Sequence, residues 1–189
     1  MKFALRVVAC TLAMGLGFGF AARSRVQAQS APAAGAQASI LAEIKKDWEE
    51  QRKTMSTIAD AMPEDKFDFK ASPAERSYGE QVLHIAQVNL FLLKVVGGKA
   101  TPPAFAPKTL KSKAEIIKAM DDTYEYGSTL LGEQTDASMM QTMAAPAFLG
   151  PSSRARVFWT LMVHSEDIYG QMVVYLRLNA IVPPASRKP

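Results

Sequence analysis

Two side chains in this sequence stand out for the chemistry they could do. They are His84 and His164, the only histidines in 189 residues. A neutral imidazole serves as metal ligand, proton acceptor or proton donor, according to which ring nitrogen is free. Each His lies in a segment with helical periodicity. At about 100° per residue, Val88, Phe91 and Val95 fall close to His84 on one line, and Val157, Ile168, Gln171 and Tyr175 fall close to His164. The spacing predicts two imidazoles aimed into a helical bundle, a common way to hold a divalent cation. The plainer reading is a pair of core imidazoles satisfied by neighbouring polar groups. Gln87 and Gln171, on or near the same lines, are candidates to hydrogen-bond and orient the rings.

Four helical periods position these residues. In residues 39–62, Ile40, Ile44, Trp48, Met55, Ile58 and Met62 line one face of a 3.6-residue helix, and Pro63 closes it. The second helix opens at Ser77-Tyr-Gly-Glu80, a capping box in which each side chain satisfies an orphan amide of the first turn. Gly97-Gly98 ends it. The third opens at a second such box, Ser112-Lys-Ala-Glu115, with Ile116, Met120, Tyr124, Gly127 and Leu131 as its inner line and Gly132 as its stop. Residues 133–150 are less regular, with a short helix expected around residues 139–143. The fourth helix begins after Pro151 with Ser152 or Ser153 as cap, and residues 179–184 terminate it. No segment alternates with period two for long enough to make a strand. The expected fold is all-α, a four-helix bundle.

Composition narrows the function classes. The chain is 48% apolar and 21% charged, which argues for one folded domain. Its formal charge of +4 is misleading. Lys2, Arg6, Arg23 and Arg25 supply four of the 22 basic residues, and the rest of the chain is balanced at 18 basic against 18 acidic. There is thus no argument for nucleic acid or an acidic membrane surface. Residues 1–28 read as an export signal. A short basic start precedes an apolar run over residues 7–22, and Val26-Gln27-Ala28 precedes a cleavage point before Gln29. The run is short for a membrane span, so no stable anchor is expected after cleavage and the protein is expected in the periplasm or outside the cell. The lone Cys, Cys10, lies inside the signal. The mature chain therefore has no thiolate ligand, nucleophile or disulfide. Residues 29–38 read as a flexible tether, 39–184 as the bundle and 185–189 as a tail.

Several other constellations carry less. Met139, Met140 and Met143 could suit Cu(I), but Met more often fills gaps over a core. Asp121, Asp122 and Glu125 read as a solvated charge run. No Gly-x-Ser-x-Gly elbow, Walker loop or His-Glu-x-x-His occurs.

Trp48 and Arg52, the segment AMPEDKFDFK from residue 61, Gly79-Glu80-Gln81 with His84, and His164 with Tyr169-Gly170-Gln171, Tyr175-Leu176-Arg177 and Val182-Pro183-Pro184 together resemble the DinB-like family. The resemblance covers residues 40–184. It implies an up-down-down-up bundle, often a homodimer, with a divalent metal such as zinc or nickel held by three His. One lies on the second helix and two lie four residues apart on the fourth. His84 and His164 match two of these ligands. The third position is Ile168, which cannot bind a metal. Three readings follow. The site is lost and the protein is a non-catalytic module that binds a small ligand or partner. Or Glu80 or Asp167 replaces the third ligand through a carboxylate oxygen. Or two His and water bind metal weakly. A bound metal implies activation of a water or thiol, with Glu80 or Asp167 as the nearest proton acceptor.

Overall fold

The computed structural model describes residues 38–188. The expected export signal and the tether up to residue 37 lie outside them. Among the described residues no helix is long and apolar enough to cross a membrane. The long helices are α1 (Ile40–Ala61), α2 (Tyr78–Val96), α3 (Lys113–Gly132) and α5 (Arg154–Leu178), with a five-residue α4 (Asp136–Met140) between the last two. Two short strands, β1 (Thr142–Met143) and β2 (Ser152–Ser153), pair antiparallel, Thr142 opposite Ser153 and Met143 opposite Ser152. The short helix lies a few residues earlier than expected. The Thr135 hydroxyl accepts from the Ser138 N–H and starts it, and residues 142–143 are drawn into the pairing with β2.

The caps form as the sequence predicts. Ser77 and Ser112 each accept from the amide three residues on, and Glu80 and Glu115 return the bond. Ser153 caps α5. At the far end of α5, the Ala180 N–H donates to Arg177 O and the Ile181 N–H to Leu176 O. This is a Schellman stop, with Ala180 at φ 58° where glycine is usual.

Cross-helix pairs establish the topology. Trp48 meets Tyr124 and Lys113 meets Asp60, so α1 and α3 run antiparallel. Asn89 meets Thr123, and the Lys99 amide meets Glu133, so α2 and α3 run parallel. Gln81 meets Gln171 and Arg154 meets the Val96 carbonyl, so α2 and α5 run antiparallel. The bundle is therefore up-down-down-up, and α1 and α2 each pack on both α3 and α5.

Trp48 anchors the core. Its ring lies 4.8 Å from Tyr124 and 5.2 Å from Phe158, and its Nε1–H donates to the Tyr124 carbonyl at 2.9 Å. Gly127 passes against this ring, where even a β-carbon would come within 2.7 Å of Trp48 Cε2.

The expected inner line of α2 needs correction. Tyr78, Val82, Ile85, Ala86, Leu92, Leu93 and Val96 are buried instead, while His84 and Val88 are half-buried and Phe91 is 54% exposed. Nearly every line along this helix is apolar, so a wheel anchored on His84 finds partners in any orientation. Glu80, Gln87 and Lys94, spaced by sevens, mark the solvent side, and His84 lies beside that line.

Candidate functional site

Although both are only half-buried, the two imidazoles converge across the seam between α2 and α5. His84 Nε2 and His164 Nε2 are 3.2 Å apart, with ring centroids 5.0 Å apart and planes at 65°. The segment before α2 is pinned over one end of this seam. Residues Lys70 and Ser77 form a β-bridge, and Tyr175 OH donates to the Arg76 carbonyl at 2.6 Å. Arg76 is thereby held where its charge reaches both rings.

Burial first, then the Arg76 and His164 charges, push the His84 pKa down to about 4. Burial also lowers that of His164, opposed by the Asp167 carboxylate. Both rings are therefore neutral at pH 7, and one Nε2–H can donate to the other ring's lone pair. His164 Nδ1 is buried and has no hydrogen-bond partner among the described residues. A metal-bound imidazole normally donates its second N–H to an orienting acceptor, and no described residue supplies one here.

The other expected site residues are placed as follows. Glu80 is held by its cap. Its Oε2 accepts from the Ser77 N–H at 2.6 Å and lies 3.3 Å from Lys70 Nζ. The Ser77 amide bond is the main reason its pKa lies below the usual carboxylate range. Asp167 is exposed and accepts from Gln171 Nε2 at 3.1 Å. The Gln171 carbonyl oxygen accepts from Gln81 Nε2 at 2.8 Å. Gln87 is exposed and hydrogen-bonds neither ring. Ile168 is 2% exposed and belongs to the core. The structure thus brings the two His together and leaves Glu80, Asp167 and both glutamines in other bonds or in solvent. Among the described residues no group of three His, Cys, Asp or Glu side chains is placed to hold a metal.

Gln81, quoted above only as part of the family signature, and Arg76 were not read as residues of the site. Gln81 stands three residues before His84, on the α5 side of a helix whose polar line ran elsewhere. Arg76 precedes the cap and carries no periodic signal.

The His84 shift has a measurable consequence. His84 titrates near 6.5 in the unfolded chain and near 4 in the folded one. Between those values the unfolded chain binds more protons, so stability is full above about pH 6.5 and falls as pH drops toward 4. His84→Gln is expected to flatten that fall in thermal melts between pH 7 and 4.5. A variant profile as steep as the parent's would assign the acid sensitivity to His164 and the carboxylates instead.

A sequence model described as the DinB superfamily matches residues 47–172. The fold is similar to a crystal structure of a DinB-like protein from Bacillus cereus, at 19% identity and a TM-score of 0.65, over 75% of this chain and 93% of that one. It is also similar to a DinB-like protein from Bacillus subtilis, at 15% identity and a TM-score of 0.59, over 78% and 99% of the two chains. No curated protein matches the sequence. At these identities the structural likeness speaks for the fold.

Proposed function

The chain belongs to the DinB superfamily, and on that premise we propose that it is an exported bundle that binds zinc or nickel through His84 and His164. The observation that carries this reading is the 3.2 Å between the two Nε2 atoms. Two nitrogens bonded at about 2.0–2.1 Å to one tetrahedral ion stand about 3.3–3.4 Å apart. The pair is therefore spaced for chelation, and only a small adjustment separates it from two ligands of one ion. The charge state agrees, since both rings are neutral at pH 7 and have lone pairs to give.

The donor set fits two positions and no more. Ile168 is packed in the core, and Glu80 and Asp167 are engaged elsewhere. Water or a ligand atom would complete the coordination. Affinity is then weaker than for a three-ligand site, and Arg76 opposes the incoming cation further. A bound metal would supply acidity to a water it carries. The protein's own contribution is to hold two rings at fixed spacing, through the antiparallel register of α2 and α5.

A second reading, a non-catalytic module, is favoured by the orphaned His164 Nδ1 and the buried Ile168. Metal content of residues 29–189, prepared without a His tag and soaked in Zn²⁺ or Ni²⁺, separates the two. The metal reading expects uptake that His84→Ala and His164→Ala each abolish. Equal uptake by parent and variants would leave the module reading in possession.

A further inference from the structure

The described chain begins at the end of the bundle where its least polar loop projects. Asp136 of α4 accepts from the Ser39 hydroxyl and from the Leu41 N–H, each at 2.8 Å, and so ties the start of α1 to α4. Ala38, Ile40, Asp136 and Met140 line one cavity of about 500 Å³ there. Beyond α4 the chain carries no charge until Arg154. Residues 137–153 contain no Asp, Glu, Lys, Arg or His, the longest such run among the described residues of a chain that is 21% charged.

This loop folds onto the core only in part. Met143 and Leu149 pack against it. Phe148 is 69% exposed and Met140 61%, and Ala144, Ala147 and Pro151 are exposed as well. The exposure is built into the backbone. The β1–β2 pairing closes the base of the loop. At its crest the Leu149 and Gly150 N–H groups both donate to the Pro146 carbonyl, at 2.9 and 3.0 Å. Gly150 takes φ 63°, which glycine adopts without strain. That turn packs Leu149 on the core and leaves Phe148 outside it.

We propose that this crest is a peripheral contact with a lipid bilayer, in which Phe148 and Met140 enter the interface. Three observations favour lipid over a protein partner. A loop without charge has nothing to offer a polar interface rim, whereas apolar burial is non-directional. Lipid penalises unmet backbone groups, and here Pro146 and Pro151 have no N–H while the Leu149 and Gly150 amides are already bonded. The chain upstream also leads to the membrane on the export reading proposed above. Residues 23–37 join the apolar run at 7–22 to Ala38, and that stretch extends to about 50 Å at most. The end of the bundle tied to it is the end that carries Phe148. One crest binds more weakly than a single acyl chain, so the contact is reversible and does not amount to an anchor.

The test is flotation of the chain from residue 29, which keeps every described residue, with vesicles of phosphatidylcholine alone and of equal parts phosphatidylcholine and phosphatidylglycerol. Saturable partition is expected into both alike, at on the order of millimolar lipid, and unchanged between low and high salt. Phe148→Ser is expected to weaken it about tenfold, a margin of about 1.4 kcal/mol, and Met140→Ser by several-fold. Leu178→Ser, which removes an exposed apolar side chain at the opposite end of α5, should leave it unchanged. All three side chains are exposed, so these variants are expected to melt like the parent. The chain from residue 29 has no Cys, so Ala147→Cys accepts a single environment-sensitive fluorophore. That label is expected to brighten on vesicles, and the same label on Leu178→Cys is not. Absence of partition would overturn the proposal, as would partition indifferent to Phe148→Ser. So would partition that needs phosphatidylglycerol and vanishes at high salt, because it would belong to charged groups elsewhere on the bundle. A dimer in sedimentation that Phe148→Ser dissociates, with no partition into vesicles, would assign the crest to a second copy of the chain instead.

Discussion

Ile168→His raises the affinity for Zn²⁺ by on the order of a hundredfold, the expected result of adding a third imidazole to a site that has two. Position 168 is one turn beyond His164 on the same face of α5, and residues four apart on a helix are neighbours. The new ring would rise beside two nitrogens already 3.2 Å apart. The substitution also places a polar ring in a core position that is 2% exposed. Without metal the variant should therefore be less stable by about 2–4 kcal/mol. Zinc should restore that loss, because a ligand that binds only the folded state stabilises it by mass action. The check is a chelator-competition titration alongside melts with and without Zn²⁺. A variant that is destabilised but gains no zinc affinity would mean that position 168 does not face the pair, and the reading of Ile168 as a vacated ligand position would fall with it.

The largest expected stability effect lies at Trp48. Trp48→Ala should cost about 3–5 kcal/mol, since the ring is fully buried among Tyr124, Phe158 and the Gly127 backbone and loses a hydrogen bond besides. Gly127→Ala alone should also destabilise, by about 1–3 kcal/mol, because the added methyl group overlaps a ring that has nowhere to go. Together the two should be far from additive. Once the indole is gone, the methyl group enters vacated space, and alanine brings the helix propensity that glycine lacks, about 1 kcal/mol. A double-mutant cycle by denaturant unfolding reads this coupling directly. Additive losses would show that the two residues do not share one close contact.

How much of this was legible in the residues depended on contrast. α1 and α3 were read well, because Trp48, Met55 and Ile58, or Ile116, Met120 and Tyr124, stand on one face with charges on the other. Both capping boxes were legible because their chemistry is local. α2 was misread on its inner face, since an apolar residue lies along almost every line through it. Only the sevenfold spacing of Glu80, Gln87 and Lys94 betrays which side is wet. The meeting of His84 with His164 could be expected from the family resemblance. The bond that holds Glu80 to the Ser77 amide was legible with its capping box, but its contact with Lys70 and the occupation of Asp167 were not, because they depend on the fold around the Lys70–Ser77 bridge and on the Gln171 rotamer.

The order of the helices in the bundle bears on how the chain reaches it. α1 and α2 stand diagonal to each other, and so do α3 and α5, while the α2–α3 contact joins parallel neighbours across a connector from Gly97 to Ser112. No two consecutive long helices form an antiparallel hairpin, the local unit that lets many bundles fold fast. A cut in that connector would leave α1 with α2 in one fragment and α3 with α5 in the other, each pair without its packing partners. Neither half then has a core to form on its own. Folding must wait for contacts between distant parts of the sequence, and a ribosome must release nearly the whole domain before α1 or α2 can find both of its neighbours.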